Sequence, residues 1–219
     1  MARHNEMMFA ALTGIGLSAS AGLNAWIPLL LMGLLNRYTD LITLPHSWAW
    51  LSNGWVLIIL GFLLAIEIVA DKVPVLDSVN DVVHTVIRPT SGGIAFGAAS
   101  DAQTATVKDP GAFLSGHQWV PIATGAAIAL VMHIMKSTAR PVINTLTIGA
   151  GGPVVSTAED ATSLTLSLVA IVLPVLVIVF LVLLVWMFVI VRRRLKARKA
   201  RKAAAAMPPM PAPYPPRRE

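Results

Sequence analysis

Asp77, Asp81, His84 and Arg88 stand at i, i+4, i+7 and i+11 between Pro74 and Pro89, so a helix carries all four on one face. Val75, Val79, Val82, Val83 and Val86 make the opposite face apolar. Just upstream, an apolar segment ends with Glu67 and Asp71 one helical turn apart. Carboxylates so placed attract cations, an imidazole exchanges a proton near neutral pH, and a guanidinium holds an anionic group. The same groups can do acid–base work, or Asp77, Asp81 and His84 can ligate a divalent metal. Three ligands at helical spacing are a weak metal motif, however, and neither His-Glu-x-x-His nor Gly-x-Ser-x-Gly occurs in the chain.

What must position these groups is a membrane bundle. The 219 residues are 56% apolar and only 13% charged, with a mean hydropathy of +0.71, too apolar for an ordinary water-soluble domain. The net charge of +6 is not a nucleic-acid footprint. Residues 1–191 hold seven Lys/Arg against ten Asp/Glu, and residues 192–219 hold ten against one. A helical membrane domain over 1–191 and a basic, Pro-rich tail over 192–219 follow, with no nucleic-acid partner expected. The absence of cysteine excludes disulfides, thiol catalysis and thiolate metal sites, and no cofactor is indicated.

The first span is expected over residues 8–36. Ser18-Ala-Ser-Ala21 resembles an export cleavage site, but apolar sequence runs past it to Leu35. Gly14, Gly16, Ser18, Ser20, Gly22, Asn24 and Pro28 make its centre small, polar and breakable, fitting either a discontinuous helix or close helix packing. Residues 38–54, with His46, Trp48 and Trp50, read with Trp55 as an interfacial loop, and 55–70 as a second span. The stripe of residues 77–88 then reads as an amphipathic interfacial helix, 89–100 as a re-entrant or broken piece, and 101–118 as a polar loop.

Residues 119–139 form another span, with His133, Ser137 and Arg140 on one face near its end, and 141–155 a second breakable piece. Ser156-Thr-Ala-Glu159 has the capping-box pattern, which starts a helix. Leu164–Val191 follow as 28 residues without a charge, about 42 Å of helix, which Pro174 can kink. The fold class is therefore an all-α bundle of four to six spans with re-entrant or broken helices and an amphipathic helix.

Arg192 to Lys202 follow the last span directly, so the positive-inside rule places the C-terminus in the cytoplasm, where these charges can also meet anionic lipids. Even span numbers put both termini there. The final Ala203–Glu219 stretch is low-complexity and expected to be disordered or extended. Small-residue stretches at Gly14–Gly22 and Gly92–Gly97 fit packing within one chain or in a homo-oligomer.

Three blocks together carry a family resemblance: Gly16-Leu-Ser-Ala-Ser-Ala-Gly-Leu-Asn-Ala-Trp-Ile-Pro-Leu-Leu30, Glu67-Ile-Val-Ala-Asp-Lys-Val-Pro74 with Asp77-Ser-Val-Asn-Asp81, and Gly151-Gly-Pro-Val-Val-Ser-Thr-Ala-Glu159. Over about residues 8–180 the chain resembles the bacterial membrane family DUF4126. The resemblance implies a cytoplasmic (inner) membrane protein and assigns no catalytic or ligand residue. Family members often have Asn where Gly152 stands here, so no role for such a side chain carries over.

Three functional classes remain. In the leading one, a small transporter or channel, Glu67, Asp71, Asp77, Asp81, His84 and Arg88, with Asn24 and Arg140, line a polar site for a cation or proton-coupled solute. The alternative is a noncatalytic scaffold or accessory subunit whose stripe is the solvated face of an interfacial helix. A membrane-embedded enzyme ranks third.

Overall fold

In the computed structural model the first apolar segment is two helices, α1 (Ala2–Leu23) and α2 (Trp26–Tyr38). Pro28 accounts for the break. It has no N–H to give the carbonyl of Asn24, four residues back, and its ring crowds that carbonyl. Asn24 takes over the vacated turn: its Oδ1 accepts from the backbone N–H of Trp26 at 3.1 Å and of Ile27 at 3.2 Å. In an unbroken helix those two donors would serve the carbonyls of Gly22 and Leu23. Both carbonyls are thereby released for other partners.

The structure describes residues 2–72, 74–100, 119–147 and 151–205, excepting the side chains at 2–4, 74–81, 140–147, 188, 191, 195, 196 and 198–205. After α2 come a 3₁₀ helix (His46–Ser52), α3 (Gly54–Ala70), α4 (Pro74–Ala99), α5 (Trp119–Thr147), α6 (Gly151–Val172) and α7 (Leu176–Ala205), with no strand among the described residues. Among the described residues four stretches are long and apolar enough to cross a membrane: Asn5–Leu23, Trp119–Ala139, Gly151–Val172 and Leu176–Arg194. The 3₁₀ helix with α3, bent by 61°, makes a fifth if the two act as one span. Met1–Val182 form one compact unit and Leu183–Glu219 another, in which α7 continues to Ala205.

Several local expectations are revised. The stripe of 77–88 and the small-residue piece of 89–100 are one helix, α4, which runs through Pro89. A proline inside a packed membrane helix costs less than in water because neighbours re-satisfy the freed groups. Nor are the described polar residues of the stripe solvated. His84 and Arg88 are buried, whereas Val82, Val83 and Val86 are 72%, 51% and 71% exposed. Over residues 82–88 the charged side chains turn toward the bundle and the valines outward, as a lipid solvent requires.

Trp48 is likewise buried rather than interfacial, its ring against the Gly97 backbone, while Trp50 and Trp55 are exposed. The capping box does not start a helix: α6 begins five residues earlier, at Gly151, with Pro153 in its first turn, where no N–H is missed. The long charge-free span is two helices parted at Pro174. The Ala170 carbonyl, which Pro174 leaves without a donor, accepts from Thr13 Oγ1 at 2.9 Å. The expected loop of 101–118 and most of the low-complexity tail, 206–219, lie outside the described residues.

Small residues bring α1, α4 and α5 into backbone contact. A Cβ on Gly125 would run into the carbonyl oxygen of Gly92, and one on Gly92 would come within 2.7 Å of the Gly125 carbonyl. Ser18 Oγ donates to the same Gly92 carbonyl at 2.8 Å, and Ser20 Oγ meets Ser163 and Ser167 of α6 at 2.7 and 2.6 Å. Gly125→Ala should therefore lower stability by about 1–3 kcal/mol, whereas Gly61→Ala, with nothing within 4 Å of the new Cβ, should cost nothing. Thermal unfolding of the two purified variants in one detergent checks the pair, and equal midpoints would contradict the packing.

Candidate functional site

The released carbonyls of Gly22 and Leu23 are the footing of a buried ionic ladder. Arg88 Nη1, from α4, donates to the Gly22 carbonyl at 3.4 Å, and Lys136 Nζ, from α5, to the Leu23 carbonyl at 3.1 Å. Cations suit the last carbonyls of a helix, whose dipole is negative there. Arg88 sits about 21 Å along α4 and Lys136 about 26 Å along α5 at 1.5 Å per residue, so both are remote from their helix starts.

On the first rung, Arg88 Nη2 donates to Glu67 Oε1 at 2.8 Å and Nη1 to His133 Nδ1 at 3.0 Å. Because a guanidinium only donates, His133 accepts through Nδ1, leaving the ring proton on Nε2, 3.2 Å from Thr85 Oγ1. His84 Nδ1 lies 3.7 Å from Glu67 Oε1, beyond a hydrogen bond, and its ring stands edge-on to Trp26 with centroids 6.3 Å apart. On the second rung, Lys136 Nζ reaches Asp71 Oδ2 and Glu159 Oε2, each at 3.1 Å. A third contact joins Asn24 Nδ2 to Asp160 Oδ1 at 2.9 Å, so the amide that caps α2 also holds α6.

Helical spacing builds the rungs. Glu67 and Asp71 are one turn apart at the end of α3, His133 and Lys136 are at i and i+3 on α5, and Glu159 and Asp160 are adjacent on α6. Glu67, Asp71, His84, Arg88, His133 and Lys136 are all at most 4% exposed. Among the described residues two buried carboxylates, Glu67 and Asp71, face two buried cations, Arg88 and Lys136, and part-buried Glu159, Asp160 and Lys72 flank them, the Lys72 ammonium donating to the Ile68 carbonyl at 3.0 Å. Glu67 Oε2, His84 Nδ1 and Arg88 Nε have no hydrogen-bond partner among the described residues. Buried polar atoms in that state are expensive and commonly mark sites of use.

The structure thus brings together Asn24, Glu67, Asp71, His84 and Arg88 of the expected set. The side chains of Asp77, Asp81 and Arg140 lie outside the described residues. Sequence reasoning did not place His133, Lys136, Glu159 or Asp160 in the site. His133 was a face residue and Glu159 a cap, but Lys136, an ammonium in an otherwise apolar span, was the available signal. No group of three His, Asp or Glu side chains that could hold a metal ion occurs among the described residues.

Breaking a buried pair from one side costs more than removing both charges. Arg88→Gln alone should destabilise by about 3–5 kcal/mol, and Glu67→Gln/Arg88→Gln should recover a large part of that loss. Unfolding midpoints of the two single variants and the double variant form the cycle. Additive losses would mean that the two residues do not act as a pair.

Comparison with curated proteins and with solved structures returned no match. The family model described as a domain of unknown function, DUF4126, matches residues 11–194, which include every rung of the ladder and the helix break beneath it. The chain belongs to the DUF4126 family.

Proposed function

We propose that the ladder is the binding site and route of a small membrane transporter or channel for a cation or a proton-coupled solute. The observation that carries this reading is a buried cluster of charge beside a broken helix, Glu67 and Asp71 with Arg88 and Lys136, in which polar atoms of Glu67, His84 and Arg88 are unpartnered among the described residues. Carboxylates enclosed in a bundle can receive a cation or a proton. A helix interrupted within the bundle offers carbonyls at depth, where intact helices have none to spare.

Arg88 and Lys136 keep the carboxylates from being uncompensated when no substrate is bound. Their bonds to released carbonyls let them shift partners without losing every contact. On this reading the protein sits in the bacterial cytoplasmic membrane with its basic end, Arg192 to Lys202, in the cytoplasm against anionic lipid, and it works as a single chain or a homo-oligomer. A purely architectural role for the ion pairs, as in a scaffold subunit, is favoured by their short distances and separates from transport in the same assay.

Reconstituted into liposomes with a pH-sensitive dye inside, the protein should show cation- or proton-linked flux. Glu67→Gln should reduce it at least about tenfold, since a route that needs the carboxylate loses its charge there. Glu6→Gln, an exposed carboxylate on α1, should leave it unchanged. Flux through folded Glu67→Gln equal to that of the unaltered protein would remove the basis for the reading.

A further inference from the structure

We infer that the groove between α2, α3 and α6 binds one phospholipid of the surrounding bilayer, phosphatidylethanolamine, with an acyl chain along its apolar wall and the headgroup between Lys72 and Asp160. The inference stands whether or not the ladder carries an ion.

One stripe from each helix forms the groove. Leu30 and Leu34 of α2, Leu64 and Ile68 of α3 and Leu164 of α6 line a space of about 500 Å³, within the roughly 300–1,000 Å³ usual for small-molecule sites. Leu34 is 36% and Leu164 45% exposed, so the groove is open to the outside of the bundle, where lipid is the solvent. Its wall offers water no hydrogen bonds, and such spaces stay dry. An acyl chain of the bilayer is the apolar filler at hand.

The charged groups gather at one end of this wall. Asp71, next to Lys72, shares the Lys136 ammonium with the Leu23 carbonyl, each at 3.1 Å, which sets the end of α3 at the start of α2. A Cβ on Gly33 would come within 2.7 Å of the Leu57 side chain, so the beginning of α3 lies farther along α2. Asp160 is tied to Asn24, in the same helix break, at 2.9 Å. From Lys72 back to Leu64 the wall runs away from that end for about 12 Å at 1.5 Å per residue. The break follows directly on Asn5–Leu23, a stretch of membrane-crossing length, which places the charged end toward one boundary of the bilayer rather than at its centre.

Both charges have bonding capacity to spare. Lys72 Nζ gives one of its three donors to the Ile68 carbonyl at 3.0 Å. Asp160 receives Asn24 on Oδ1, with no bond to Oδ2 among the described residues. No ion pair joins Lys72 to Asp160 among those residues. A lysine alone would suit any phosphate head and is common near helix ends. The carboxylate beside it disfavours a head of net negative charge and calls for a cationic donor. Phosphate on Lys72 and primary ammonium on Asp160 answer both with charge-assisted hydrogen bonds, whereas the trimethylammonium of phosphatidylcholine has no N–H to give.

The test measures lipid binding to the full-length protein, delipidated in detergent, by native mass spectrometry. Phosphatidylethanolamine, phosphatidylcholine and phosphatidylglycerol of identical chains are compared. The expected result is one phosphatidylethanolamine per chain, bound at least about tenfold more tightly than either other lipid, as one charge-assisted hydrogen bond supplies. Asp160→Asn should remove the preference over phosphatidylcholine. Leu64→Trp, which fills the groove, should abolish the bound lipid, and Leu34→Trp, at the exposed rim, serves if Leu64→Trp is not recovered folded.

Equal affinities for the three lipids in the unaltered protein, tightest binding of phosphatidylglycerol, or a preference that survives the tryptophan would overturn the assignment. So would a dimer of the unaltered protein that Leu34→Trp converts to a monomer, because a second copy would then occupy the groove. Selective lipid binding together with flux unaffected by Glu67→Gln would fail the transport reading alone, and lost flux with unselective binding would fail this site alone.

Discussion

The organisation of this protein turns on one exchange of hydrogen-bond partners. Two backbone donors, at Trp26 and Ile27, bond to the side chain of Asn24 instead of to the carbonyls of Gly22 and Leu23. Pro28 makes the exchange necessary by interrupting the helix, and Asn24 makes it tolerable by satisfying the donors. The two carbonyls then need donors of their own, and within a bundle the available ones are the side chains of Arg88 and Lys136. Once these cations are drawn in, carboxylates must follow, because an unpaired charge away from water is far more costly than a paired one. Glu67, Asp71 and Glu159 answer that demand from two other helices. A break in one helix thus fixes the neighbours of four more.

The same exchange gives the site its character. Buried ion pairs add little stability relative to well-packed apolar side chains, and they lose much when one partner is removed. Two rungs of them are a poor way to hold a bundle together, and the proposed function gives them another use. The packing of glycines and serines among α1, α4, α5 and α6 can provide cohesion without them. On α4 the valines 82, 83 and 86 point outward, away from the buried His84 and Arg88.

Much of this was legible in the sequence. The period of the stripe placed His84 and Arg88 on one face, and the spacing of Glu67 and Asp71 put them one turn apart. The small, polar centre of the first segment marked the break at Asn24 and Pro28. Which way the stripe faced was not legible, because an amphipathic helix at a water boundary and an inside-out helix in lipid have the same periodicity. Helix ends were also misplaced where two signals competed. Ser156-Thr-Ala-Glu159 has capping chemistry, yet the helix starts earlier, at Gly151, and Glu159 is spent on Lys136. The lone ammonium of Lys136 in an apolar span is legible, but its partners are not, because they lie 65 and 23 residues away in the chain.

Transport through this ladder, as proposed, requires that it be reachable by water and selective for cations. The chain has no cysteine, so a single introduced thiol reports its own surroundings without background. Ser156→Cys and His84→Cys, at positions buried in the bundle, would be exposed in membranes to water-borne thiol reagents of opposite charge and similar size. Modification by the cationic reagent at least about tenfold faster than by the anionic one is the result expected of a cation route. No modification by either reagent, or equal rates for both, would contradict it.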